Sequence, residues 1–291
     1  MKKRADIELL RVLSTFGIVW FHSGAQGQEF AYSGLIVFLI VSMYLGGKSG
    51  AGDMPTVRRR AERLIVPWLV WFVFYSGLNV FRSLPVFAAE HGLIAGVLAG
   101  PSIHLWYMPF IFICLLTLDV VKGHVSQSAI SIGSGVLALL VIAATPLWRS
   151  PSMELISPLP QWAHASAAIF IGVFVLYLDK ISRVGSSLLI LAMLACVIYM
   201  IPYSGIGIPY LIGLVAVLVV ASRLLEVLSV DVSFVSECTL GVYFVHVFVL
   251  LVFFKFGLFQ GAFLPVAVFV IATLAVMALR KLLPGLAKYW S

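Results

Sequence analysis

The chain has 291 residues, of which 62% are hydrophobic and only 11% are charged, and its mean hydropathy is +1.10. Since a soluble domain keeps about a quarter of its residues charged, this composition excludes a soluble globular fold and indicates a chain surrounded largely by lipid. The formal net charge of +7 does not predict a nucleic-acid partner, because the basic residues fall in the connections between apolar segments. The three cysteines lack the spacing of a disulfide framework or metal motif.

Apolar segments that could cross about 30 Å of hydrocarbon predict about ten transmembrane helices. They lie near 7–25, 31–47, 64–81, 104–121, 129–147, 164–178, 186–201, 206–222, 234–254 and 261–279. The first segment follows a basic start but carries Asp6 and Glu8, so we expect it to be retained rather than cleaved. The stretch 86–99 is shorter and contains Glu90 and His91, which favours a re-entrant or interfacial helix.

The basic residues are distributed unequally between the two sets of connections. With the N-terminus in the cytoplasm, fifteen of the 19 Lys and Arg residues fall on the cytoplasmic side, and only Arg82, Arg149 and Lys255 fall on the other. The predicted fold is therefore an all-α, polytopic transmembrane bundle with both termini cytoplasmic. No hydrophilic linker or internal repeat divides it, so residues 1–291 are predicted to form a single integral-membrane domain.

The first segment contains two ionisable side chains, Arg11 and His22, eleven residues apart. On a helix this spacing returns to within about 20° of one face and separates the residues by roughly 16 Å along the axis. Ionisable residues within a span are a functional signal. The alternative is that Arg11 reaches to one interface and His22 simply lies near the other.

Four arginines, Arg58, Arg59, Arg60 and Arg63, come directly before the apolar segment 64–81. Guanidinium groups form forked hydrogen bonds to phosphate, so this cluster could hold an anionic cofactor. Basic residues beside a span also act as topology signals or bind anionic lipid, and the pattern alone does not separate these roles.

Two further motifs combine histidine with aromatic residues. His104 and Tyr107 are three residues apart with Trp106 between them, where a span begins, and Tyr243 and His246 have the same spacing inside an apolar run. Aromatic residues are ordinary at a membrane interface, and a buried histidine is often structural. The two histidines could equally line a polar cavity.

Four motifs, taken together and in their order along the chain, resemble those of acyltransferase family 3. They are Arg11-x10-His22, Arg60-x-x-Arg63, His104-Leu-Trp-Tyr and Leu-Gly-Val-Tyr-x-x-His246. The resemblance extends over nearly the whole chain. It implies a bacterial inner-membrane enzyme that O-acylates, usually O-acetylates, a cell-surface or lipid-linked glycan or exopolysaccharide. It further implies an acyl donor drawn from cytoplasmic acyl-CoA, most often acetyl-CoA, and no metal. The sequence leaves the oligomeric state open.

The chain departs from the family pattern in two ways. No soluble hydrolase-like domain follows the bundle in this sequence, so we expect acyl transfer to be completed within it. The second helix, from Gly34 to Ser42, is a loose version of the family's Gly-x-x-x-Phe-Phe-x-x-Ser-Gly pattern and lacks its Ser-Gly pair.

The resulting hypothesis assigns a role to each motif. His22 acts as a general base or transiently accepts the acyl group, and the acyl arm passes along the Arg11–His22 face. The predicted donor-binding residues are Arg58, Arg59, Arg60 and Arg63. The predicted acceptor-binding residues are His104, Trp106, Tyr107, Tyr243 and His246.

A transporter or exporter of a polysaccharide or small molecule is the main alternative, because it too would explain many spans and intramembrane ionisable residues. Against it, the sequence shows no paired Gly/Pro-broken spans and no acidic residue deep within a helix. A non-catalytic sensor or scaffold would leave the Arg11–His22 pair without a purpose.

Overall fold

A computed structural model describes residues 4–48, 54–87, 92–222, 231–258, 260–285 and 287–289. All the regular structure in these residues is helical. The helices are α1 (Ala5–Ser23), α2 (Gln28–Ala31), α3 (Ser33–Gly47), α4 (Met54–Phe81), α5 (Gly92–Ala99), α6 (Tyr107–Lys122), α7 (Gln127–Ala143), α8 (Thr145–Met153), α9 (Leu159–Leu176), α10 (Arg183–Tyr199), α11 (Gly207–Ser222), α12 (Ser233–Ser236), α13 (Thr239–Phe256) and α14 (Phe263–Leu282). Short 3₁₀ turns span Leu178–Lys180 and Ala287–Tyr289.

Each of the ten predicted apolar segments is largely helical. Within the described ranges, five spans are long and apolar enough to cross a membrane, or six if the bent pair α7–α8 counts as one. These five are Gln28–Gly47, Met54–Phe81, Leu159–Leu176, Thr239–Phe256 and Phe263–Leu282. The all-helical membrane fold is confirmed, whereas the count of about ten spans and the cytoplasmic termini stay predictions.

Helices α1 and α3 approach each other through two glycines. A Cβ built on Gly34 would lie 2.5 Å from the carbonyl oxygen of Ser14 and 2.9 Å from the Cα of Gly17. Because these are backbone atoms, neither helix can accommodate a side chain at this point by changing a rotamer. The contact holds α1 tightly against α3, and α1 also packs on α13.

Hydrogen bonds between helix ends identify one end of the bundle. Arg4 donates to the carbonyl of Val220 at 2.7 Å, which joins the start of α1 to the end of α11. Arg280, near the end of α14, donates to the carbonyl of Glu237 at 2.7 Å, just before α13. We call this the arginine-rich end, since Arg60 and its neighbours in the first turns of α4 also lie here. The opposite end carries the cavity described below.

The connection after α7 differs from the prediction. The segment 129–147 was expected to be one helix followed by a loop over 148–163, but the chain bends by 71° after α7 and continues as α8 to Met153. Pro146 favours this break, because proline is well accommodated in the first turn of a helix, where its missing N–H would have no partner anyway, whereas within a helix it removes a hydrogen bond. In the predicted re-entrant stretch, α5 is helical, and Glu90 and His91 lie outside the described residues.

Candidate functional site

Three histidines from distant parts of the chain meet at the end of the bundle opposite the arginine-rich end. The ring centroid of His246 in α13 lies 5.2 Å from that of His22 in α1 and 5.2 Å from that of His104, which precedes α6. His246 is fully buried between the other two. Three of the four sequence motifs therefore converge on one cluster, which we call the histidine cluster.

The hydrogen bonds of His246 define which ring nitrogen carries its proton. Its Nδ1 lies 2.7 Å from the carbonyl oxygen of Tyr243. Because a carbonyl can only accept, Nδ1–H donates, and in the neutral ring Nε2 presents a lone pair. That Nε2 is buried and has no hydrogen-bond partner. His246 can therefore accept a proton or hydrogen bond from the neighbouring His22.

His104 is held on both sides by polar contacts. Its Nδ1 lies 3.1 Å from the hydroxyl of Ser102, and its backbone carbonyl accepts a hydrogen bond from the Tyr243 hydroxyl. The Nε2 of His104 is buried, like that of His246. No group of three or more His, Cys, Asp or Glu in the described part of the chain is placed to hold a metal ion.

A cavity of about 460 Å³ opens beside the histidine cluster. Of the predicted residues, His22, His104, Trp106 and Tyr243 line it. A volume of this size is typical of a small-molecule site. A second groove of about 320 Å³ adjoins it, and the two share a wall of three side chains, Ile103, Trp106 and Gln161.

Two predicted acceptor-binding residues lie behind the cavity rather than on its wall. The hydroxyl of Tyr107 donates to Ser42 of α3 at 2.7 Å, and its ring packs 5.4 Å from that of Tyr243. His246 contacts the wall residues His22 and His104 but does not line the cavity. Both are placed to position other side chains.

Several cavity residues were missed by the sequence analysis. His164 in α9, Tyr32 between α2 and α3, and Arg149 in α8 all line the cavity. His164 is an ionisable residue at the start of an apolar segment, so the rule that singled out His22 could have found it. Arg149 was counted only as one of the few basic residues on its side.

Arg11 contacts the same helix as His22, but near the opposite end. Its Nη2 lies 3.1 Å from the hydroxyl of Thr239, at the start of α13, and its Nη1 lies 3.4 Å from Glu8. The side chain is 28% exposed. The guanidinium is thus bound against α13 at the arginine-rich end, while His22 contacts His246 seven residues further along that helix.

Arg60 differs from the other three arginines of its cluster because it is buried in an ion pair. Its Nη2 lies 2.9 Å from Asp119 of α6 and 3.1 Å from the carbonyl of Gly46, and the side chains of Arg60 and Asp119 are 7% and 1% exposed. Lys122 lies 3.5 Å from the same carboxylate and donates to the carbonyl of Gly47. These two carbonyls belong to the last turn of α3, which has no intrahelical donors for them. The Arg60–Asp119–Lys122 cluster therefore ties α3, α4 and α6 together.

The remaining three arginines are exposed at the arginine-rich end. Arg58 forms an ion pair with Glu62 at 2.9 Å on the surface of α4, and Arg59 and Arg63 are exposed beside it. An exposed ion pair of this kind adds little to stability. These three guanidinium groups are accessible to a phosphate, which Arg60 is not.

Comparison with known proteins agrees with the arrangement of these motifs. A family model described as an acyltransferase domain, that of acyltransferase family 3, matches residues 4–279. No curated protein and no solved structure shows a significant match to the chain. Because the family match covers all the described helices up to the last turn of α14, the chain belongs to acyltransferase family 3 and is a membrane acyltransferase.

Proposed function

We propose that the protein transfers an acyl group, most simply acetyl, from cytoplasmic acyl-CoA to a hydroxyl of a cell-surface or lipid-linked glycan. The observation that carries the proposal is the convergence of His22, His104 and Tyr243 on one cavity, at the opposite end of the bundle from the exposed arginines. A donor and an acceptor would then approach from opposite ends. The family assignment favours transfer over the export of a polysaccharide.

The same arrangement supports a topology. We propose that residues 1–291 form one integral-membrane domain of about ten spans in a bacterial inner membrane, with the arginine-rich end in the cytoplasm. This orientation places Arg58, Arg59 and Arg63 on the side where acyl-CoA is found. Forked hydrogen bonds from guanidinium groups suit the phosphates of coenzyme A.

The acyl arm would run beside α1, from Arg11 towards His22. The acceptor hydroxyl oxygen attacks the thioester carbonyl carbon, a C–O bond forms and the C–S bond breaks. His22 takes the hydroxyl proton and returns it to the departing thiolate, so the products are an ester and free coenzyme A thiol. General base catalysis of this kind contributes about 10²–10⁴-fold to a rate.

His246 and His104 support His22 in different ways. The Nε2 lone pair of His246 is suited to accept a hydrogen bond from one ring N–H of His22. The other ring nitrogen of His22 is then free to act on the substrate. His104, Trp106 and Tyr243 line the acceptor side, where Trp106 offers a stacking face for a sugar ring. An alternative order, in which His22 first carries the acyl group and then passes it to the hydroxyl, uses the same residues.

The test is transfer of label from [¹⁴C]acetyl-CoA, added to inside-out vesicles, into glycan on the other side of the membrane. We expect label with the unchanged protein and a loss of about 10²-fold or more with His22→Ala. His124→Ala is the matched control, since His124 is exposed in the connection between α6 and α7 and should change nothing. Full activity of His22→Ala at normal protein levels would remove the catalytic role of His22.

A further inference from the structure

The wall of the cavity that faces α8 and α9 carries a positive charge that the proposed acyl transfer does not use. Arg149 is the one lysine or arginine among the described residues that line the cavity. Its side chain is half-buried, and within the described part of the chain it forms no ion pair and no side-chain hydrogen bond. The guanidinium lies within electrostatic range of the Tyr32 hydroxyl and the His164 imidazole.

His164 provides a second unsatisfied group on this wall. The residue is 7% exposed, and its Nε2 has no hydrogen-bond partner. Its ring packs 5.7 Å from that of Trp148 and 6.4 Å from that of Tyr32, so its position is determined by neighbours from two other helical segments. A buried polar atom without a partner is costly, and such groups in a cavity are commonly satisfied by a ligand or water.

The acidic residue in the cavity does not neutralise this charge. Glu29 also lines the cavity, but it is exposed and makes no ion pair with Arg149. Arg149, whose guanidinium carries five N–H donors, therefore lines a cavity of about 460 Å³ with no carboxylate of the described residues bound to it. A planar carboxylate or a phosphate is the ligand group that matches this donor geometry best.

We propose that the cavity selects an anionic acceptor, a saccharide that carries a carboxylate or phosphate group, through Arg149 with His164 beside it. The proposal rests on the proposed function for the identity of the ligand as the acyl acceptor. The charged group binds at the α8–α9 wall and the sugar ring extends across the cavity. A hydroxyl of that ring is thereby presented to His22, which lines the same cavity.

Binding tests the anion site independently of catalysis. The purified full-length protein in detergent is equilibrated with radiolabelled methyl glucuronide, glucose 1-phosphate or the neutral methyl glucoside. We expect both anionic probes to bind at least about tenfold more tightly than the glucoside, because charge-assisted hydrogen bonds are the strong ones. A stronger preference for the glucuronide identifies a carboxylate, and one for the sugar phosphate identifies a phosphate.

The variants connect this preference to Arg149. Arg149→Gln should abolish the preference while leaving glucoside binding unchanged, which also shows that the variant is folded, and Arg149→Lys should keep part of it. Arg82→Gln is the matched control, since Arg82 is exposed on the same side but does not line the cavity. Equal binding of the three probes, or a preference that survives Arg149→Gln, overturns the inference. Selective, Arg149-dependent binding without transfer of acetyl to any saccharide upholds the anion site and refutes the proposed acetyl transfer instead.

Discussion

Replacing Gly34 by alanine tests whether the contact between α1 and α3 sets the geometry of the site. The added Cβ would lie 2.5 Å from the Ser14 carbonyl oxygen, and ordinary contact begins at 3.4 Å, so the backbones must separate by about 0.9 Å, the difference between these distances. Since α1 lies between α3 and α13, the separation pushes α1 towards α13. His22 then moves against His246, which is already fully buried.

The expected effect has two parts. Overpacking of this kind costs about 1–3 kcal/mol of stability. A displacement of about 1 Å at a catalytic group lowers activity by about 10²-fold. We therefore expect Gly34→Ala to lower kcat/KM for acetyl transfer by about two orders of magnitude, while the thermal midpoint in detergent falls only modestly.

Gly77→Ala is the matched control for this experiment. Gly77 also lies within a helix, but a Cβ built there meets no atom within 4 Å. Alanine favours a helix more than glycine does, so this variant should keep full activity and a normal or higher midpoint. Wild-type activity in Gly34→Ala would refute the idea that the glycine contact positions His22.

Three further predictions concern the ionisable residues. Arg60→Gln should cost about 3–5 kcal/mol of stability, because it leaves the buried Asp119 carboxylate without its closest partner; in a denaturant titration the double variant with Asp119→Asn should regain much of this loss, and simple additivity would contradict the pairing. Arg63→Gln should raise KM for acetyl-CoA several-fold without changing the thermal midpoint, and an unchanged KM would return Arg63 to a topological role. His246→Gln should lower kcat by about tenfold or more while KM for the acyl donor and KM for the acceptor stay unchanged, because His22 loses the imidazole that accepts its N–H hydrogen bond. An unaltered kcat would show that His246 contributes only to packing.

The sequence predicted the histidine cluster only in part. The spacing of Arg11 and His22 was enough to predict that they share a face, and both contact α13. The sequence could not show that His246 lies behind His22 rather than on the cavity wall, because this depends on the packing of α1 against α13. Tyr107 was predicted to line the cavity because it lies three residues after His104. It directly follows the wall residue Trp106, however, and this one step turns its side chain towards α3, where its hydroxyl donates to Ser42.

The arginine cluster shows a second limit. Residues three apart on a helix share a face, so periodicity places Arg60 beside Arg63, yet Arg60 is buried and Arg63 is exposed. The spacing therefore identifies neither the buried arginine nor its partner. Asp119 is 59 residues further along the chain and lies at the end of a different helix. The position of Arg149 on the cavity wall could not be predicted from the sequence either, because it depends on the bend between α7 and α8.

The ion pair between Arg60 and Asp119 has a consequence for how the chain enters the membrane. The ribosome makes Arg60 well before Asp119, so when α4 inserts, its guanidinium has no carboxylate to neutralise it. A charge in that state resists transfer through the bilayer, which in the proposed orientation keeps the start of α4 on the side of synthesis. Once α6 arrives, Asp119 neutralises the charge and the end of α3 is captured in the same event. During biogenesis Arg60 would thus first fix the orientation of α4, and its ion pair with Asp119 would then join α3, α4 and α6, so that correct orientation precedes final assembly.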